Sequence, residues 1–186
     1  MQEDLKKSLE ALRTGGLILY PTDTIWGIGC DATNDLAVQK IFQIKKREDF
    51  KSMLILLDSP GKLDRYVIVP DIAWELIEVS TSPLTIIYPG ARNLAPGLIA
   101  EDGSAGIRIT TDEFCIDLIK KFGRPIVSTS ANISGTPSPA IFDDIRDEII
   151  SSVDYVVNWR QDDIQKRPAS SIIKLEENGL FKIIRE

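Results

Sequence analysis

Polar and apolar positions along the chain fall into two alternating rhythms. Leu5, Leu9 and Leu12 share one face of a helix predicted over residues 1–13, which Gly15-Gly16 stop. Short apolar runs at 17–20, 53–57, 84–88, 106–109 and 125–128 have the length of buried strands. Residues 21–29 read as a loop leading into a second strand. Helical spacing returns from Asp35, a candidate N-cap, through Leu36, Ile41 and Ile44. It returns again over 70–79, with proline in the first turn, and over 112–122, where Thr110 and Glu113 form a capping box and Gly123 takes the C′ position. Ser138-Pro139 opens a predicted helix to about Ile150. Strands at 154–158, 170–175 and 180–184 close the chain, the last two joined by the tight-turn residues Glu177-Asn178-Gly179. Residues 89–103 and 160–167 read as loops. Strands alternating with helices, followed by a terminal hairpin, predict an α/β (α+β-like) fold with a mixed sheet.

Composition narrows the chemistry. The chain of 186 residues is 43% hydrophobic and 27% charged, an ordinary balance for one globular domain spanning 1–186. Its apolar runs are too short for a membrane span, and its first residues lack the apolar core of a signal peptide, so a cytoplasmic protein is expected. The two cysteines, Cys30 and Cys115, are read as free thiols. There is no histidine, which excludes Ser-His-Asp triads, Cys-His pairs and HExxH zinc sites. Catalysis must use Lys, Arg, Asp, Glu, hydroxyls, backbone amides, or a metal carried in by phosphates. A net charge of −6 disfavours strong non-specific nucleic-acid binding.

Four constellations could carry chemistry, and each has a plainer alternative. Lys45-Lys46-Arg47 with Lys51 and Lys40 concentrates cations suited to phosphate, or is a solvated helix end. Ser128-Thr129-Ser130-Ala131-Asn132 follows a buried strand and could cradle an anion or nucleotide, or is a polar turn capped by its own hydroxyls. Pro21-Thr22-Asp23-Thr24 precedes Trp26 and two glycines that allow close backbone approach, or is an ordinary loop. Arg108, within a strand, must be paired or face a solvated cavity; it could hold a carboxylate with two donors, or form a structural ion pair. The usual phosphate-loop and dinucleotide fingerprints are absent.

Together, the order PTDTIWGIG, Lys45-Lys46-Arg47, Pro83-Leu84-Thr85, Gly106-Ile107-Arg108, STSAN, Ser170-Ser171-Ile172-Ile173 and Ile184-Arg185-Glu186 resembles the YrdC-like family, which contains threonylcarbamoyl-AMP synthases. The resemblance runs from about residue 5 to the end and is to the single-domain bacterial form. It implies a twisted, open mixed sheet of about seven strands flanked by helices around a concave, cationic cavity. It also implies condensation of L-threonine, bicarbonate or CO2, and ATP into threonylcarbamoyl-adenylate and pyrophosphate, for modification of the tRNA adenosine beside the anticodon.

By the same resemblance, Lys45 and Arg47 hold ATP phosphates and are the catalytic pair, with Lys51 nearby. Ser130 and Asn132 lie against the nucleotide, with Ser104 and Ser138 as further contacts and Arg185 as a late ATP residue. Thr24, Arg108, Ser128, Ser170 and Ser171 meet threonine. Mg2+ enters with the ATP phosphates rather than on a protein site, and proteins acting later in tRNA modification are implied as partners. The chemistry needs no protein nucleophile, since threonine's amine attacks CO2 and the carbamate attacks the α-phosphorus; positioning and charge neutralisation suffice. The chain departs from the family at Trp26 (usually Tyr), at Glu48 and Ser52 (often Pro), at Leu56 (a histidine in some members), at Thr110 and at Lys174 (usually an acid). Two other readings stay open: a paralogue that binds a nucleotide but runs another or weaker reaction, and an RNA-binding module.

Overall fold

The computed structural model describes residues 1–46 and 53–186. Nine strands form one mixed sheet among the described residues: β1 (Ile18–Tyr20), β2 (Gly27–Gly29), β3 (Leu54–Leu57), β4 (Leu84–Tyr88), β5 (Ala105–Ile109), β6 (Ile126–Ser130), β7 (Tyr155–Val156), β8 (Ser171–Leu175) and β9 (Phe181–Arg185). Their order is β7-β1-β2-β6-β3-β5-β4-β8-β9. The pairs β1/β7, β3/β5 and β4/β8 are parallel and the rest antiparallel. The count exceeds the expected seven, and three of the nine are very short: β1 and β2 have three residues each and β7 has two.

The helices are α1 (Gln2–Arg13), α2 (Asp35–Ile44), α3 (Ile72–Val79), α4 (Glu113–Phe122) and α5 (Asp147–Ile150), none long and apolar enough to cross a membrane. One face of the sheet carries Leu19, Ile28, Ile55, Ile86, Ile107, Val127 and Ile173 and packs on α2 and α3. On the other face, Ile18, Tyr20, Leu56 and Ile126 pack beneath α1 and α4. The predicted face of α1 supplies Leu5, Leu9 and Leu12 to this second core. That cover ends at β3. Beyond it, β5, β4 and β8 contribute no residue to this second core, and no helix among the described residues covers that face.

Close approach fixes the glycines of β2. Tyr20 lies across this strand and donates its hydroxyl to Val127 O at 3.1 Å. A Cβ on Gly29 would stand 2.5 Å from the Tyr20 ring and 2.8 Å from Val127 O.

Several helix boundaries differ from expectation. Asn34, not Asp35, caps α2, its side chain accepting from Ala37 N. Asp112, not Thr110, caps α4, accepting from Cys115 N at 3.0 Å; Thr110 instead accepts from Asp112 N. Gly123, with φ +80°, ends α4 as expected. Helix α3 starts at Ile72, two residues later than predicted. The helix expected over 138–150 is replaced by a 3-10 turn at Phe142–Asp144 and the single turn of α5. Asp144 accepts from the backbone N–H groups of Ala140 and Ile141, drawing them away from a helical ladder.

Candidate active site

The uncovered stretch of sheet forms the floor of a hollow of about 190 Å3. Strand register places its side chains. Arg108 pairs across to Thr85, Thr85 to Ile172, and Ile172 to Arg185, so all four stand on one face. Strand β6 extends to Ser130, two residues further than the predicted 125–128, so Ser128 and Ser130 alternate onto this same face beside Leu54. Thr24, Trp26 and Ser138 complete the wall. Among the described residues the lining contains two arginines and no carboxylate.

Arg185 reaches the hollow because β9 carries one extra residue. Ile183 pairs with Ile173, but Arg185 rather than Ile184 pairs with Ile172. This bulge turns Arg185 onto the face opposite Ile183. The guanidinium then donates to Ser170 O through Nε at 3.0 Å and NH2 at 2.6 Å. Ser170 also shares a hydroxyl–hydroxyl bond of 2.7 Å with Thr85.

Arg108 is 2% exposed. Its NH1 donates to Thr24 Oγ1 at 3.1 Å, and its NH2 lies 2.9 Å from Asp23 Oδ1. The Thr24 hydroxyl is fixed in turn by Thr22, whose own hydroxyl donates to Ile25 O. The Pro21–Thr24 loop is therefore the cradle of the arginine.

Lys45 ends α2 and is 3% exposed. Its ammonium donates to Ser130 O at 2.6 Å and Asn132 O at 2.9 Å. Ser134 N donates back to Lys45 O. The Asn132 amide donates to Thr136 O at 2.6 Å, closing the turn. A second concavity of about 280 Å3 opens against this turn, lined by Asn132, Thr136, Ser138, Asp144 and Arg146, and Ser138 belongs to both.

A family model for the Sua5/YciO/YrdC domain, described as "Telomere recombination", matches residues 10–186. A relative from Methanocaldococcus jannaschii is 35% identical over 187 residues, covering 98% of this chain and 87% of its own. The chain belongs to the Sua5/YciO/YrdC family. A family protein from Pseudoalteromonas translucida, named threonylcarbamoyl-AMP synthase, is 29% identical over 161 residues, which are 84% of this chain and 86% of that one. The crystal structure of P. abyssi Sua5 complexed with L-threonine shares the fold, with a TM-score of 0.83 at 24% identity. That match covers 94% of this chain but 52% of the Sua5 chain, so the present chain spans about half of that protein.

Within this family fold, the hollow brings together Thr24, Arg108, Ser128, Ser130, Ser138, Ser170 and Arg185, seven of the residues singled out from sequence. Lys45 and Asn132 adjoin it through the turn they share. Two candidates fall elsewhere. Ser171 pairs with Leu84 and alternates onto the opposite face of the sheet. Ser104 precedes β5, four residues and roughly 13 Å of strand from Arg108, and donates its hydroxyl to Asp102. Arg47 and Lys51, with the departures at Glu48 and Ser52, lie outside the described residues. Leu56 is buried beneath α1 and α4 and does not line the hollow. Lys174 pairs with Asp102, so this departure from the family's acid has a partner of its own. The Lys174 hydrogen bond, followed by those of Ser104, holds the Asp102 carboxyl down at about 2. Burial raises the pKa of both cysteine thiols, keeping them neutral. Asp23 belongs to the Pro21–Thr24 constellation but has no role by the family resemblance; its sequence signal is its place between Thr22 and Thr24.

Proposed function

We propose that the protein is a threonylcarbamoyl-AMP synthase, joining L-threonine, bicarbonate or CO2, and ATP into threonylcarbamoyl-adenylate with release of pyrophosphate. The product would serve the threonylcarbamoyl-adenosine modification of tRNA, in the cytoplasm, through later-acting proteins. The observation that carries this reading is the hollow itself. Two arginines and a ring of hydroxyls converge on one face of the sheet, with no carboxylate among the described residues of the lining to repel anions. Relatives named as threonylcarbamoyl-AMP synthases and the L-threonine complex of Sua5 supply the matching chemistry.

Arg108 takes the threonine carboxylate, with Thr24, Ser128 and Ser170 around the amino acid. Arg185, Ser130, Ser138 and Asn132 take the nucleotide, with Arg47 and Lys51 supplying further cations from outside the described residues. ATP enters as its magnesium complex. Threonine's amine adds to CO2, the carbamate oxygen attacks the α-phosphorus, and pyrophosphate leaves. Every charge-neutralising group in this scheme is an arginine, a lysine or magnesium, which suits a chain without histidine.

The test is mass spectrometry of a mixture of protein, ATP, L-threonine and bicarbonate. Threonylcarbamoyl-adenylate is the expected product, with pyrophosphate release that requires all three substrates. A folded sample that forms none refutes the proposal. Release with a different amino acid would support the paralogue reading instead.

A further inference from the structure

We infer that Asp23 is a positioning residue for Arg108 and sets how strongly the site selects a ligand bearing a carboxylate. The inference rests on the reading of Arg108 given above and concerns a residue that the reading does not use.

Arg108 is 2% exposed, and a guanidinium so buried must be held by its neighbours. Among the described residues its anionic partner is Asp23, whose side chain is itself 10% exposed. The two Asp23 oxygens do different things. Oδ2 accepts from Thr111 N, which ties the carboxylate to the end of β5. Oδ1 lies 2.9 Å from Arg108 NH2. On the other side of the fork, NH1 is spent on Thr24 Oγ1.

What this leaves is specific. Nε and NH2 have no hydrogen-bond acceptor among the described residues; the Asp23 contact at NH2 is a charge pairing without hydrogen-bond alignment. Nε and NH2 form one edge of the guanidinium, and their N–H groups are those that meet a carboxylate in a bidentate pair. Asp23 and Thr24 thus fix the plane of the group, while its side edge lies buried against the hollow without an aligned acceptor among the described residues. Asp23 offsets the charge well enough for Arg108 to remain buried between turnovers, and Oδ1 can give way at NH2 when a better-aligned carboxylate arrives. Asp23 itself is outside the lining of the hollow.

The experiment compares binding of L-threonine with that of L-threoninamide, which lacks the carboxylate charge, by calorimetry on the full chain. The wild type should favour L-threonine. Asp23→Asn keeps the shape and an acceptor for Thr111 N but removes the charge. It should lower the ratio of the two dissociation constants about tenfold, leaving ATP affinity within about twofold. Asp23→Glu, which retains the charge but displaces it, should lower the ratio about threefold. A merely structural residue would weaken both ligands alike and leave the ratio fixed. An unchanged ratio in the folded variants overturns the inference, and if Asp23→Asn does not fold, the Glu variant alone decides on the same criterion. A wild type that binds both ligands equally refutes the role of Arg108 itself, a separate failure from one confined to the variants.

Discussion

Replacing Lys45 with methionine tests whether its ammonium belongs to the fold or to a ligand. The side chain is 3% exposed, so methionine keeps most of its packing. Among what disappears are two short, charge-assisted hydrogen bonds, 2.6 Å to Ser130 O and 2.9 Å to Asn132 O. Bonds of this type are worth about 1.5–3 kcal/mol each, and losing them leaves two carbonyls facing a thioether. The cost of keeping the ammonium out of water is recovered, which brings the net loss to about 2–4 kcal/mol. For a chain of this size that is a fall in melting temperature of about 5–15 °C. The assay is a thermal melt by circular dichroism without nucleotide. Lys46→Met is the control. Its ammonium pairs with Glu148 where the two side chains are 64% and 53% exposed, so its loss should cost below about 1 kcal/mol. A Lys45→Met protein that melts within about 2 °C of wild type, yet no longer gains stability from ATP, would refute the reasoning: the ammonium would then be a phosphate ligand and not the anchor of the Ser130–Asn132 turn.

Three further outcomes are expected. Gly29→Ala drives a Cβ to 2.5 Å from the Tyr20 ring, costing about 3 kcal/mol by urea denaturation; adding Tyr20→Leu should recover part of it, and full stability in the single variant would contradict the packing of β1 on β2. Asp102 has its pKa lowered from 3.8 to about 2, chiefly by Lys174 and then by Ser104, so this contact adds stability above about pH 4 that is lost as pH falls toward 2. Lys174→Ala should bring the Asp102 titration, followed by NMR, back toward its ordinary value, with a stability change below about 1 kcal/mol because Asp102 is 50% and Lys174 31% exposed. Arg185→Met should lower stability by less than about 1 kcal/mol, since Arg185 is exposed, while raising the KM for ATP about tenfold or more; an unchanged KM removes Arg185 from the nucleotide site.

Much of the arrangement was legible in the sequence, for reasons that can be named. The apolar runs of β3, β4, β5 and β8 are buried on at least one face, so hydrophobicity alone marks them. Helix α1 shows because its leucines recur at helical spacing over a polar remainder. The helix expected from Ser138 failed because a serine–proline start says nothing about a later aspartate; Asp144 captures two backbone donors, and the chain turns instead. The caps of α2 and α4 shifted by one or two residues because Asn34 and Asp112 compete with equally suitable neighbours. At the site, Ser171 was misplaced because adjacent residues on a strand face opposite ways, and only the register distinguishes it from Ser170. Arg185 depended on an extra residue in β9 that no periodicity reveals. Asp23 became visible as a partner of Arg108 only when a loop and a strand 85 positions apart were brought together.

The position of the hollow follows from one change of residue type along a single face of the sheet. Ile126 and Leu56 pair across β6 and β3 and lie beneath α1 and α4. The next partner on that face is Arg108, followed by Thr85. A helix could not close over Arg108 as it closes over Leu56, because an arginine sealed among apolar side chains carries a desolvation cost that one ion pair does not offset. The helical cover therefore stops where the row turns polar, and the Pro21–Thr24 loop takes its place with a carboxylate and two hydroxyls. This substitution leaves the arginine's side edge without an acceptor among the described residues. An unpaired donor edge buried to this depth costs stability in the free protein, and a ligand carboxylate removes that cost on binding. The same residue pattern that interrupts the hydrophobic cover thus creates a preference for an anionic ligand at the point of interruption.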